Sequence, residues 1–237
     1  MSALVQAAGL ALPGRLGDTA LTLEAGELTC LVGPNGSGKT SLLHALAGIG
    51  DPSGSVLIDG SDPRALPPGR RLRLFAYLPA SRDISWPLTA HDLIALGSPI
   101  GEREAGIRQV LTDLGLSEFT DRRIDRMSTG ERSRVLIARA LVAGPRLLLL
   151  DEPAANLDPY WQLRLMDYLR ASARDNGQAL LVAVHDLELA RAYADRLIVM
   201  NEGRIEADGD PETLLGSEII PRIFGIERSG GRWQPVA

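Results

Sequence analysis

The chain has 237 residues, 45% hydrophobic and 23% charged, a composition that suits one or two folded domains with a buried core and excludes a disordered, collagen-like or rod-like chain. The 25 basic and 30 acidic residues give a formal net charge of −5, so charge offers no footprint for nucleic acid. A single cysteine, Cys30, excludes an internal disulfide framework.

The N-terminal segment, 1–12, is apolar but lacks a basic start and a cleavage-site pattern. Strands are expected at 19–24 and 28–33, parted by the turn Glu24-Ala25-Gly26-Glu27. A helix follows at 39–48, then strands at 55–59 and 74–78, the latter stopped by Pro79. Residues 89–97 and 102–115 are expected as helices, and 130–143 as an amphipathic helix. A buried strand at 147–150 leads to a helix at 159–174, a strand at 179–184 and a helix at 187–194. Strands at 196–200 and 204–207 flank Asn201-Glu202-Gly203, a hairpin turn. This alternation predicts an α/β fold with a mainly parallel sheet, and 82–140, which holds no strand pattern, reads as a helical insertion. No apolar run approaches the ~20 residues that span a bilayer, so the chain is expected to need another chain to act across a membrane, and the free cysteine with no signal pattern points to the cytosol.

Gly33-Pro34-Asn35-Gly36-Ser37-Gly38-Lys39-Thr40 matches the phosphate-binding pattern G-x-x-x-x-G-K-[ST], with a strand entering and a helix leaving. Glycines let successive backbone N–H groups turn inward around phosphate oxygens, and the helix N-terminus adds partial positive charge. Lys39 supplies a full charge to the β- and γ-phosphates, the Thr40 hydroxyl can ligate Mg²⁺, and Ser41 follows on the same helix turn. Lys39 is also the only lysine of the chain, where arginine serves at every other basic position.

The apolar strand at 147–150 ends in Asp151-Glu152, which puts two acids at the carboxyl edge of the sheet, where open α/β folds bind ligands. Asp151 fits a Mg²⁺ holder and Glu152 fits the base that polarises an attacking water. Alone, this pair could equally be a solvated acidic turn.

These residues together resemble the ATP-binding cassette (ABC) ATPases. Met127-Ser128-Thr129-Gly130-Glu131 is similar to that family's signature, usually Leu-Ser-Gly-Gly-Gln. Ala155-Asn156-Leu157-Asp158 resembles the D-loop, and His185, at the end of a buried strand, resembles the switch histidine. Residues 204–212 resemble the hairpin after the last core strand. The resemblance implies a single nucleotide-binding domain over 1–237, with 1–81 and 141–237 forming a P-loop NTPase core. That core carries an N-terminal antiparallel β portion, and 82–140 forms a helical subdomain. It implies ATP and Mg²⁺ as ligands and a head-to-tail pair of cassettes, with Ser128, Gly130 and Asp158 serving the nucleotide between them. His185 is then expected at the γ-phosphate.

Two positions depart from the family. Ala80 stands after Pro79, where the family carries a glutamine that reaches Mg²⁺ or the attacking water. No aromatic residue precedes Phe75 to stack on adenine, which leaves Leu12, Pro13 or Arg15. The absence of a fused membrane domain, a second cassette or a coiled-coil insertion points to a separate importer subunit. The segment 84–97 and the end around Ile223-Phe224-Gly225-Ile226 resemble importers of iron chelates, haem and vitamin B12. The implied partners are a second cassette, integral membrane permease subunits and a substrate-binding protein, with the cassette peripheral on the cytoplasmic membrane face. Two other readings stay open: a soluble ABC ATPase in iron–sulfur assembly, and a weakly hydrolysing regulatory cassette because of Ala80. Trp86 and Trp161 read as core residues and not as ligands.

Overall fold

A computed structural model describes residues 3–81, 87–99 and 103–236, so Trp86 and its neighbours 82–85 lie outside the described residues. The chain opens with strands β1 (Val5–Leu12), β2 (Leu16–Leu23) and β3 (Leu28–Val32), then helix α1 (Lys39–Leu46) and β4 (Ser53–Ile58). Helix α2 (Pro68–Leu74) runs into β5 (Phe75–Leu78). Helices α3 (Ala90–Ala95), α4 (Arg103–Asp113) and α5 (Thr129–Leu141) precede β6 (Leu147–Asp151). Alternation resumes with α6 (Pro159–Asn176), β7 (Ala179–Ala183), α7 (Leu187–Tyr193), β8 (Arg196–Asn201) and β9 (Arg204–Gly209). Helices α8 (Pro211–Leu215) and α9 (Ile219–Phe224) and the hairpin β10 (Ile226–Ser229) and β11 (Arg232–Pro235) follow.

Patterning sorts the strands into sheets. In β3, β6 and β7 every residue is buried, which suits strands covered on both faces. They form a six-stranded sheet in the order β5-β6-β7-β3-β8-β9, parallel except for β9. In β2 burial largely alternates, and β2-β1-β4 make a separate antiparallel sheet. The stretches at 19–24 and 28–33, adjacent in sequence, therefore belong to different sheets.

Strand alternation also splits the core in two. Cys30, Leu148, Leu150, Leu180 and Val182 face a cluster that continues into α3, α4 and α5. Leu31, Leu147, Leu149, Leu181 and Ile198 face the other way, against α1 and the antiparallel sheet. Each fully buried leucine contributes about 1.5–3 kcal/mol of transfer free energy. Between β5 and β6 the described residues form helices and short turns, with only the isolated bridge Thr89–Arg123 of strand type.

Two elements in the first third escape the sequence pattern. Helix α2 starts at a Pro-Pro-Gly run without a side-chain cap. Strand β1 contains Gly9 at φ 63° and shifts register against both neighbours, which blurs its alternation.

Candidate active site

Strands β6, β7 and β3 lie side by side and parallel, so the loops leaving their carboxyl ends meet at one edge. These loops carry Asp151-Glu152, His185 and the glycine-rich loop 33–38 respectively. The backbone demands those glycines. A Cβ on Gly33 would lie 2.4 Å from the Met200 carbonyl and from Ser37 Oγ. Gly38 precedes α1 at φ 102°, and a Cβ there would sit 2.9 Å from Gly203 Cα.

Lys39 starts α1 and is buried. Its ammonium donates to the carbonyls of Gly33 at 2.8 Å and Pro34 at 3.2 Å. Burial lowers its pKa, while Glu152 and Asp151 pull the other way. One residue on, Thr40 Oγ1 donates to Asp151 Oδ2 at 2.8 Å. Asp151 is fully buried. Burial pushes its pKa up, opposed chiefly by the Thr40 hydrogen bond and also by the charges of His44 and Lys39. Glu152 leaves the strand at φ 51°, a left-handed conformation unusual for a glutamate. That turn carries its carboxylate to His185, whose Nε2 lies 2.5 Å from Glu152 Oε1.

A cleft of about 720 Å³ opens over these groups. Asn35, Gly36, Ser37, Gly38, Lys39, Thr40, Ser41, Glu152 and His185 line it, while Gly33 and Pro34 enter through the carbonyls that hold Lys39. Two further turns complete its wall. Gly14, Arg15, Leu16 and Gly17 come from the β1–β2 turn, and Glu202, Gly203 and Arg204 from the β8–β9 turn. Backbone bonds tie them together: Gly203 N–H donates to Ser37 O at 2.9 Å, and Gly17 N–H to Gly203 O at 2.8 Å. Asn201-Glu202-Gly203 is legible as a hairpin, but nothing in the sequence marks it as a wall of this cleft. Of the residues weighed for adenine, Arg15 lines the cleft, Leu12 is buried and Pro13 is exposed outside it. Ala80 is exposed after β5 and is not among the lining residues.

Ser128, Gly130 and Asp158 are not in this cleft either. Ser128 caps α5, its hydroxyl accepting from Glu131 N while Glu131 Oε2 accepts from Ser128 N at 2.8 Å. Asp158 caps α6 by accepting from Trp161 N at 3.0 Å. A Cβ on Gly130 would lie 3.4 Å from Asn156 O, so the Ser128–Gly130 turn abuts 155–158 within the chain.

Residues 16–155, more than half of the chain, match the family described as ABC transporter. The chain belongs to that family. As an ABC cassette it is the ATP-binding and ATP-hydrolysing subunit of a transporter. It is 40% identical over 234 residues to the hemin import ATP-binding protein HmuV of Rhodopseudomonas palustris, covering 93% of this chain and 87% of the relative. It is 35% identical over 217 residues to the cobalamin import ATP-binding protein BtuD of Halobacterium salinarum, covering 88% of this chain and 54% of that protein. Among solved structures, the ATP-binding subunit of an ABC transporter superposes with TM-score 0.78 at 26% identity, over 94% of this chain and 93% of that one. CbiO1 of Clostridium perfringens, part of the ABC transporter complex cbiONQ, gives 0.77 at 25% identity over 94% of each chain. No described helix is long and apolar enough to cross a membrane.

Proposed function

We propose that this ABC ATPase powers import of a haem- or cobalamin-class metal chelate through membrane permease subunits. The Thr40–Asp151 hydrogen bond beside buried Lys39, next to the Glu152–His185 pair, is the observation that carries the catalytic reading. The substrate class rests on the likeness to hemin and cobalamin import subunits, which also speaks against the soluble-assembly reading.

The glycine-rich loop and Lys39 neutralise the phosphates of ATP. Thr40 and Asp151 offer two hard oxygens to Mg²⁺, a cation that draws its remaining ligands from water and phosphate. When bound, Mg²⁺ supplies charge neutralisation at the phosphates being separated. Glu152 accepts the proton of the attacking water, and His185 holds that carboxylate in place and faces the γ-phosphate. Arg15 supplies a guanidinium plane at the adenine side of the cleft. A second copy completes the site, presenting Ser128 and Gly130 from the start of α5 and Asp158 from the start of α6. Each copy is one nucleotide-binding domain, 1–237, with 82–140 as its helical subdomain. The pair sits on the cytoplasmic membrane face, beneath permease subunits that a substrate-binding protein supplies. The permease docks in a second groove of about 710 Å³ between α2–β5 and the helical segment, lined by Leu72, Ala76, Leu96, Leu136 and Ala140.

Reconstitution with permease subunits that co-purify with the chain, in vesicles supplied with haem or cobalamin, tests this. ATP-dependent accumulation of one of them, lost with Glu152→Gln, is expected. Accumulation of neither while ATP is hydrolysed would overturn the substrate class.

A further inference from the structure

Arg134 and Trp161 lie outside the cleft, yet they join the elements that bear Ser128 and Asp158. Arg134 sits on α5, 8% exposed, with its guanidinium 4.0 Å over the Trp161 ring. Its Nη1 also donates to Leu114 O at 2.7 Å and Gly115 O at 3.0 Å. Gly115, at φ +61°, lies against the ring, and a Cβ there would meet Trp161 Cη2 at 2.4 Å. Trp161 stands in the first turn of α6, where its own N–H is the group that Asp158 caps. The Leu114–Gly115 turn, the second turn of α5 and the start of α6 thus share one three-way contact. Gly130 and Asn156 also neighbour each other at the same edge.

Packing alone does not account for an arginine here. Burying a guanidinium costs several kcal/mol unless its hydrogen bonds and partners repay it, and an aliphatic side chain would fill the space more cheaply. The planar guanidinium can stack on an indole and reach two carbonyls at once, which a lysine ammonium cannot reproduce. We propose that Arg134 and Trp161 are positioning residues that clasp the signature helix to the D-loop helix, so that both reach the nucleotide of a second copy in fixed relation. This rests on the reading that Ser128, Gly130 and Asp158 serve that nucleotide.

The full chain is tested as Trp161→Ala, Trp161→Phe and Arg134→Lys, with Gly130→Asp as a separate probe of the underlying reading. Affinity for a fluorescent ATP analogue and turnover per folded chain are measured on each. Trp161→Ala and Arg134→Lys should each lower turnover about tenfold and leave nucleotide affinity within about twofold, since a displaced catalytic element costs rate before ground-state binding. Trp161→Phe, which keeps a ring for the guanidinium, should recover turnover to within about threefold of the parent. The double variant Trp161→Ala/Arg134→Lys should be no slower than either single one, because both break one clasp. Parental turnover in Trp161→Ala, or equal losses of affinity and turnover, overturns the clasp. If Trp161→Ala does not fold, Arg134→Lys and Trp161→Phe give the same decision. Gly130→Asp should be inactive. If it is inactive while Trp161→Ala turns over normally, only the clasp falls; if Gly130→Asp turns over normally, the trans-nucleotide reading falls and the clasp with it.

Discussion

The roles proposed for Lys39 and Glu152 fall at different stages, so their loss should look different. Lys39→Ala removes a charge-assisted partner worth ~1.5–3 kcal/mol, and ATP affinity should drop on the order of 10- to 100-fold in a nucleotide titration. Glu152→Gln keeps the size of the side chain but cannot accept a proton, so turnover should fall ~10²–10⁴-fold while ATP still binds. Parental phosphate release by Glu152→Gln would remove Glu152 from the proposed base role. Ala80 poses the converse question. It stands exposed after β5, outside the lining of the cleft; where the family resemblance holds, a longer side chain there reaches the attacking water, and Ala80→Gln should raise turnover several-fold, up to about tenfold or ~1.4 kcal/mol, with ATP affinity unchanged. No gain in turnover or in permease stimulation would show that other groups already fill that place.

The cleft depends on three turns that are distant in the chain and bonded through backbone. Gly203 is the joint: it sits at φ +73°, and a Cβ there would lie 2.8 Å from Arg15 O. Gly203→Ala should therefore cost on the order of 1–3 kcal/mol in stability and weaken ATP binding by loosening the Ser37 and Gly17 contacts. Thermal unfolding should fall by several degrees, and an unchanged melting temperature would show that the turn yields freely. This element also marks the limit of sequence reading. The loop 33–38, β6 and β7 are legible because buried apolar runs end abruptly in glycine, in acids or in histidine. The α5 start is legible because the amphipathic pattern expected at 130–143 begins within one residue of it. Gly17, Gly203 and the Arg134–Trp161 stack are not, since each gains meaning only from a partner many residues away. The short helices α8 and α9 also escape, being too brief to show a period.

For the assembled molecule, the second groove is the place to look for the permease. Leu96, at its rim, is 52% exposed. Burial pushes the Cys30 thiol up to about 12, so a cysteine placed at 96 would be the only reactive thiol of the chain. Leu96→Cys should cross-link to the permease, and a cross-link from a cysteine placed within 196–237 with none from position 96 would put the interface elsewhere. The lone lysine has a parallel use. With one ε-amine in the whole chain, held under the phosphate loop, acylation reports on a single position. Bound nucleotide shields that amine, and an acyl group on it erases the charge that nucleotide needs. The rate at which one peptide becomes acylated, read by mass spectrometry after short pulses, thus rises with the time a cassette spends empty.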